Sequence, residues 1–323
     1  MVERTSLQNS PPTPHTLPRD ILVVGSVALD DVETPFGRVE GALGGSATYF
    51  ATAASFYAPV KLVGVVGDDF PPEHVEFLRR RQVDLAGLEV VEGGRTFRWR
   101  GRYEYDLNTA HTLDTQLNVF AEFSPKLPET YRRPGLLFLA NIAPELQRAV
   151  LEQIERPALV ALDTMNFWIS SRRDALADVM RLVDVVLINE AEARQFADTY
   201  SLLGAARAIL ALGPKAVIIK KGEYGASMFT DGDHPGETYF FAPAYPLETV
   251  KDPTGAGDTF AGGFLGALAR EPVLDANAFR RAIVHGSVMA SFTVEDFSIN
   301  RLRALTADEI ERRFAEFQAF TRF

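Results

Sequence analysis

Residues 250–265 read VKDPTGAGDTFAGGFL, with Gly255, Ala256, Gly257 and then a carboxylate, Asp258, at the point where a helix must begin. Pro253 and the glycines mark a turn, and Phe260, Phe264, Leu265 and Leu268 then recur at helical spacing. The pattern predicts that residues 255–257 form the first turn of the helix, with unpaired backbone N–H groups facing outward. Such a turn attracts anions. An aspartate directly behind it would repel a phosphate that merely docked there, so the carboxylate needs a separate explanation.

Upstream of this turn, from Ile21 onward, short β-branched runs alternate with longer helical patterns. ILVVGSVA (21–28), VKLVGVVG (60–67), LLFLA (136–140), ALVALD (158–163), VDVVLI (183–188) and KAVIIK (215–220) read as strands buried on both faces. Helix-like stretches at 46–57, 71–81, 144–154, 172–182 and 201–211 lie between several of them. Alternation of this kind predicts crossover units and an α/β fold, a mostly parallel sheet covered on both sides by helices. GASMFT (225–230) and TYFFA (238–242) read as a hairpin-like pair, followed by an all-helical end. There Thr306 and Glu309 have capping-box spacing, and Ile310, Phe314 and Phe317 are expected to point inward.

TFRWRGRYEYD (96–106) breaks the alternation. Phe97, Trp99, Gly101, Tyr103 and Tyr105 fall on one face, and Thr96, Arg98, Arg100, Arg102 and Glu104 on the other. Strict period two predicts a strand with one wet face, outside the main sheet. DVETPFGRVEGALGG (31–45) is a candidate partner in a further small sheet. Two readings stay open for this excursion: an antiparallel edge extension, or a lid over a pocket.

Of 323 residues, 46% are hydrophobic and 24% charged, the profile of a soluble globular protein, and the formal net charge is −10. No basic block or stripe is present, which argues against nucleic acid and anionic membrane as partners. The absence of cysteine excludes disulfides, a thiol nucleophile and thiolate-bound zinc, and is compatible with a cytoplasmic location. The five histidines are scattered, with no HExxH pair. Residues 1–20 are polar and proline-rich without the apolar stretch of a signal peptide; they read as a disordered tail before a single domain at 21–323.

Three readings compete for DPTGAGD. The first is a plain helix start whose acid complements the macrodipole, worth roughly 0.3–1 kcal/mol. The second, a dinucleotide site, lacks a suitable GxGxxG, and the sequence also has no GxxxxGK[ST]. The third is phosphoryl transfer to a hydroxyl. In that reading the N–H groups hold the moving phosphoryl group and Asp258 accepts the proton of the attacking alcohol. The helix N-terminus is expected to keep Asp258 ionised and a weak base, which suits a loose transition state with late proton departure.

DPTGAGDTFAGGFL resembles the C-terminal motif of the PfkB, or ribokinase-like, carbohydrate kinases at Asp252, Gly255, Ala256, Gly257, Asp258 and the small pair Gly262-Gly263. That pair also reads simply as close helix packing. The resemblance extends in order over nearly the whole chain after residue 20. It implies a ribokinase-like three-layer α/β/α fold, an ATP-dependent kinase acting on a hydroxyl of a sugar or sugar-like molecule, and Mg²⁺ as cofactor. A monovalent cation and a homodimer through the lid sheet are further possibilities of the family. Position by position, GSVALD (25–30) resembles the end of the first strand, implying that Asp30 binds sugar hydroxyls. LGGSATYFATAAS (43–55) resembles the Gly44-Gly45 turn and the small-residue helix beneath the substrate. LINEAEA (187–193) resembles the N-x-x-E motif, implying Asn189 and Glu192 near magnesium through water. IKKGEYGA (219–226) resembles the strand and turn beside the nucleotide, with Lys221, Gly222 and Gly225 as contacts. Each is weak alone: Asp30 also reads as a turn acid, Asn189 as a helix N-cap, and Gly222 and Gly225 as hairpin glycines.

Two departures fall in the sugar pocket. Tyr49 stands near the family's usual asparagine, and Ser46 where ribose-specific members carry lysine. These disfavour ribose and bring in bulkier or more apolar acceptors, such as a nucleoside or an inositol-like cyclitol. Trp99 or Tyr103 would then offer a stacking face, or else serve core or interface packing. Asp163 and Asn166 count as pocket neighbours, and HGSVMASFTVEDFS (285–298) falls where the family contacts adenine. The alternative from another class is a non-catalytic sugar- or nucleotide-binding sensor.

Overall fold

The computed structural model describes residues 18–155, 157–231 and 238–322. Of the tail expected at 1–20, residues 1–17 lie outside the described residues, and 18–20 depart from it. Residues 18–20 are already engaged: the Asp20 carboxylate pairs with Lys61 at 2.7 Å and accepts the Gly135 N–H at 2.8 Å.

In chain order the strands are β1 (Ile21–Val24), β2 (Ala28–Thr34), β3 (Gly37–Gly44), β4 (Val60–Gly67), β5 (Val83–Val91), β6 (Phe97–Tyr103) and β7 (Ala110–Gln116). There follow β8 (Leu136–Leu139), β9 (Leu159–Asp163), β10 (Val185–Asn189), β11 (Ala216–Lys220), β12 (Ala226–Thr230) and β13 (Tyr239–Ala242). The large sheet has the order β13-β12-β11-β10-β9-β8-β1-β4-β5. It is parallel from β5 to β11, and the β12–β13 hairpin adds antiparallel to its edge.

Because side chains alternate along each buried strand, the sheet carries two cores. Ile21, Val23, Phe138, Leu187 and Ile218 join Phe50, Phe264 and Phe292 of the helices Ser46–Ala54, Ala256–Arg270 and Ala276–Thr293. Leu22, Val24, Leu139, Ile188 and Ile219 join Val150, Val179, Phe196 and Ile209 of the helices Pro144–Leu151, Arg173–Met180, Glu190–Ala197 and Leu202–Leu210. This is the three-layer arrangement expected from the sequence.

Two details differ. The run 21–28 is not one strand, because the chain leaves the large sheet at Gly25, where an added Cβ would lie 2.7 Å from the Ala140 Cβ. Ala28 then opens β2 in a second sheet, and the Ser26 and Ser46 hydroxyls meet at 3.1 Å across the junction. Strand β5 has no counterpart in the sequence reading. It pairs at the sheet edge with one side only and is half-exposed, so it lacks the continuous apolar run of a buried strand.

The second sheet has the order β3-β2-β6-β7 and unites the two irregular segments. β2 and β6 run parallel, pairing Asp30 with Trp99, so both side chains share a face; β3 and β7 flank them antiparallel. The capping box of the C-terminal helix forms as expected at Thr306 and Glu309.

Helix Ala256–Arg270 is clamped between two others through its glycine pair. An added Cβ on Gly262 would lie 2.5 Å from the Phe50 backbone oxygen, and one on Gly263 2.8 Å from that of His285. Helix propensity alone makes Gly→Ala stabilising by about 1 kcal/mol. Backbone atoms cannot rotate away, so Gly262→Ala is expected to have the opposite sign, a loss of about 1–3 kcal/mol. A raised urea midpoint would show that the contact is not tight.

Candidate active site

Three adjacent parallel strands, β9, β10 and β11, end at Asp163, Asn189 and Lys220. The C-terminal edge of such a sheet is where open α/β folds place ligands. Register aligns Leu187 with both Asp163 and Ile218, and Asn189 with Lys220. Asp163 and Lys220 therefore leave the sheet on the face covered by helix Ala256–Arg270. They meet there, with Lys220 Nζ donating to Asp163 Oδ2 at 2.5 Å. The Gln147 amide donates to the Asp163 carbonyl at 3.0 Å, fixing the strand end from the opposite layer.

Opposite these strand ends lies the GAGD turn. The helix starts at Ala256, and Gly255 is its N-cap rather than part of its first turn, with φ 73° and ψ 2°. Only glycine takes this left-handed conformation without strain, and an added Cβ would also lie 2.4 Å from the Tyr49 ring. Ala256 N–H is used by Pro253 O at 3.2 Å. Among the described residues, the N–H groups of Gly255 and Gly257 have no backbone acceptor. The turn is braced from below by the buried Asp252, whose carboxylate accepts Thr254 N–H at 2.9 Å and Ser298 N–H at 3.1 Å. Lys220 reaches this turn as well: its Nζ lies 3.1 Å from where a Gly257 Cβ would stand.

Asp258 sits behind the N–H groups. Burial first, and then the charge of Asp163, push its carboxyl up to about 7, against the opposing pull of Lys220. The expectation of a weak, fully ionised base thus meets a correction in kind. Enclosure beside a second carboxylate outweighs the helix N-terminus. Glu192 is pushed to about 7 by the same two causes, burial and Asp163.

Asn189 and Glu192 form a reciprocal capping box, Asn189 N–H to Glu192 Oε2 at 2.9 Å and Glu192 N–H to Asn189 Oδ1 at 2.8 Å. This is the helix-start role that the sequence left open. It also brings the buried Glu192 carboxyl into the field of Asp163, Lys220 and Asp258. Among the described residues, no three His, Cys, Asp or Glu side chains are grouped to hold a metal.

On the other side of this turn lies the small sheet. Asp30 on β2 is buried; burial and then Asp252 raise its carboxyl to about 8, while the Gly45 N–H opposes the shift. The carboxylate lies so close to Gly44 that no side chain fits there. Gly45 caps the helix Ser46–Ala54, on which Tyr49 lies flat against Gly255. Among the described residues the buried Tyr49 hydroxyl has no hydrogen-bond partner, and it stands in the field of Asp30, Asp252, Tyr103 and Asp258. From β6, the Tyr103 hydroxyl accepts from Thr254 Oγ1 at 3.3 Å. Beyond β6, Asn108 approaches Gly222, its Oδ1 3.4 Å from where a Cβ would stand. Segment 95–110 thus touches both sides of the cleft.

Asp30, Gly44, Gly45, Tyr49, Gly255, Ala256, Gly257, Asp258, Asn189 and Glu192 therefore line one connected region. Others stand apart. Lys221 places its ammonium 4.3 Å over the Phe241 ring. Gly225 has φ 82° and presses on the Ala242 and Pro243 backbone, the hairpin role also weighed for it. Trp99 covers Gly101 and donates to Thr112 Oγ1 at 3.2 Å, a packing role within the small sheet. Asn166 is exposed at the start of a short helix.

The sequence places Lys221 beside the nucleotide and Asp163 as a pocket neighbour, whereas the residue that reaches the GAGD turn is Lys220, which the sequence pattern did not single out. Strand parity holds the missed signal: Leu159, Ala161 and Asp163 share a face, as do Ala216, Ile218 and Lys220.

A family model described as pfkB family carbohydrate kinase matches residues 19–302. A cytidine kinase of Thermococcus kodakarensis is 31% identical over 78% of this chain and 89% of its own length. The Methanocaldococcus jannaschii nucleoside kinase superposes with a TM-score of 0.74 at 20% identity, covering 92% of this chain and 98% of its own. The Burkholderia thailandensis nucleoside kinase, solved with inosine, gives 0.72 at 20% identity over 93% and 99%.

Proposed function

Because the chain belongs to the pfkB family of carbohydrate kinases, and is thus a phosphotransferase, we propose that it moves the γ-phosphoryl group of ATP onto a hydroxymethyl group of a nucleoside or related sugar. The observation that carries this reading is Asp258 placed directly behind the unpaired N–H groups of the GAGD turn. Asp258 faces the acceptor and takes its proton; a carboxyl near 7 is well matched to that task at neutral pH. The N–H groups of Gly255 and Gly257 face the charge that develops on the transferred group. Asp30 accepts from acceptor hydroxyls, and the orphaned Tyr49 hydroxyl gains a partner when one arrives.

Bound as its magnesium complex, the nucleotide would supply the phosphoryl group together with a cation that offsets phosphate charge. The site's donors fit such a cation held mostly by water and phosphate: a single buried carboxyl, Glu192, is raised to about 7 and would ionise beside a positive charge. Asn189 orients it through the capping box. The small sheet acts as a lid that excludes water, with Tyr103 and Asn108 as its contacts.

A nucleoside is favoured by the 31% identical cytidine kinase and by the two tyrosines, Tyr49 and Tyr103, at the acceptor end. Among the described residues no helix is long and apolar enough to cross a membrane, and with no cysteine in the chain a cytoplasmic location fits. The exposed edge strand β7 offers a second copy a pairing surface for a homodimer.

ADP release with MgATP is the test, against nucleosides, pentoses, hexoses and inositol, in potassium and in choline salts. Turnover with one acceptor establishes the kinase and its substrate. ATP binding without turnover of any acceptor would favour the sensor reading.

A further inference from the structure

We propose that Lys220 is a catalytic residue of this site: its ammonium contacts the phosphoryl group in transit at the GAGD turn, and Asp163 holds it there. The proposal rests on the phosphoryl-transfer reading above and deepens it.

The geometry is that of a charge aimed at one place. Lys220 is the last residue of β11, and strand parity sends its side chain toward the start of helix Ala256–Arg270. Its Nζ lies beside Gly257, 3.1 Å from where a Cβ would stand, so a side chain there would press on the ammonium. The Asp163 carboxylate grips it at 2.5 Å and is itself fixed by Thr164 N–H at 2.8 Å. The lysine side chain is only 16% exposed and the aspartate 5%. Burying such a pair is expensive, and hydrophobic residues of similar size would serve stability as well or better. A purely structural pair also has no reason to sit against an anion-binding turn.

In the transfer, the acceptor oxygen forms a bond to the γ-phosphorus while the bond from that phosphorus to the bridging oxygen of ADP breaks. The acceptor proton passes to Asp258, and ADP leaves with the bridging electron pair. Negative charge moves through the three peripheral oxygens of the phosphoryl group. Backbone N–H groups meet these oxygens from the helix side, and Lys220 supplies a full positive charge from the sheet side. Neighbouring carboxylates Asp163, Glu192 and Asp258 keep the ammonium protonated, its affinity for the proton raised despite burial.

The variants are Lys220→Met and the double variant Lys220→Met/Asp163→Asn, which removes both ends of the pair and leaves no buried unpaired charge. Each is compared with the wild type by turnover with cytidine or inosine across pH 6–9. Each is also assayed for binding of MgADP, alone and with aluminium fluoride, whose anion mimics the moving phosphoryl group. Both variants are expected to lose about 10²-fold or more in kcat on the high-pH plateau. Both should bind MgADP alone within a few-fold of wild type and lose the tightening that fluoride gives. If the double variant recovers the wild-type plateau, Lys220 only neutralises Asp163 and the proposal is overturned. It is also overturned if either variant merely shifts the pH profile, or keeps the fluoride-dependent tightening. Wild-type protein with neither turnover nor tightening would instead sink the kinase reading, and this inference with it.

Discussion

Asp258→Asn is expected to lower kcat by about 10²–10⁴ with little effect on the fold. The substitution keeps shape and removes only the ability to take a proton. In the wild type, kcat/KM should rise with pH and level off above about 7, because the base works when deprotonated and its carboxyl is raised to about 7. The residual rate of the variant should lack that rise. Thermal stability gives an independent check. A carboxyl raised by burial and by Asp163 is a burden to the folded state once ionised, so Asp258→Asn should melt no lower than wild type at pH 8. A variant that keeps more than a tenth of wild-type kcat would remove Asp258 from the base role.

Asp30→Asn is expected to act on binding and stability in opposite directions. Its carboxyl is raised to about 8 by burial and by Asp252, from an ordinary value near 4. Between those two pH values the folded chain holds a proton that the unfolded chain has released. The folded state therefore loses stability as pH rises across this window, and gains none of it back above 8. Asp258 and Glu192, both raised to about 7, add to the same trend. Melting of the ligand-free protein should fall from pH 5 to 8, and Asp30→Asn should flatten the slope and raise the melting point most at pH 8. Above about pH 8, where this carboxyl is ionised, the same variant should weaken acceptor use about 10–100-fold in kcat/KM, since hydrogen bonds to a charged group contribute about 1.5–3 kcal/mol. A pH-independent stability gain would mean that the Asp30 carboxyl holds its proton no more tightly in the folded chain than in the unfolded one. Stability gained without loss of acceptor use would place the acceptor elsewhere.

These two carboxyls, with Lys220, show a site built against the stability of its own ligand-free state. Asp30, Asp252, Asp258, Asp163 and Glu192 converge on a cleft to which Lys220 is the cation brought by the large sheet. Such an arrangement suits ligands that carry hydroxyl donors and a metal ion.

Much of this was legible in the sequence. The buried runs at 60–67, 136–140, 158–163, 183–188 and 215–220 become strands because two-sided burial leaves a continuous apolar signal that needs no tertiary context. DPTGAGD marks its own turn through glycine, and Thr306 with Glu309 marks a helix start through local hydrogen bonds. The resemblance to the PfkB kinases follows from those same residues, and the family match agrees. What the sequence could not decide depends on groups far apart in the chain. Strand β5 exists because β4 offers it an edge, not because its own pattern demands it. The break at Gly25 follows from Ala140 and Ser46 crowding one point. Lys220 rather than Lys221 turns to the site because β11 pairs with β10 in one register. The proton affinities of Asp30, Glu192 and Asp258 are set by desolvation and by carboxylates brought in from other strands and turns. Local chemistry writes caps, turns and buried strands into the chain itself, whereas electrostatics in an enclosed cleft arises only once the fold has brought the charges together.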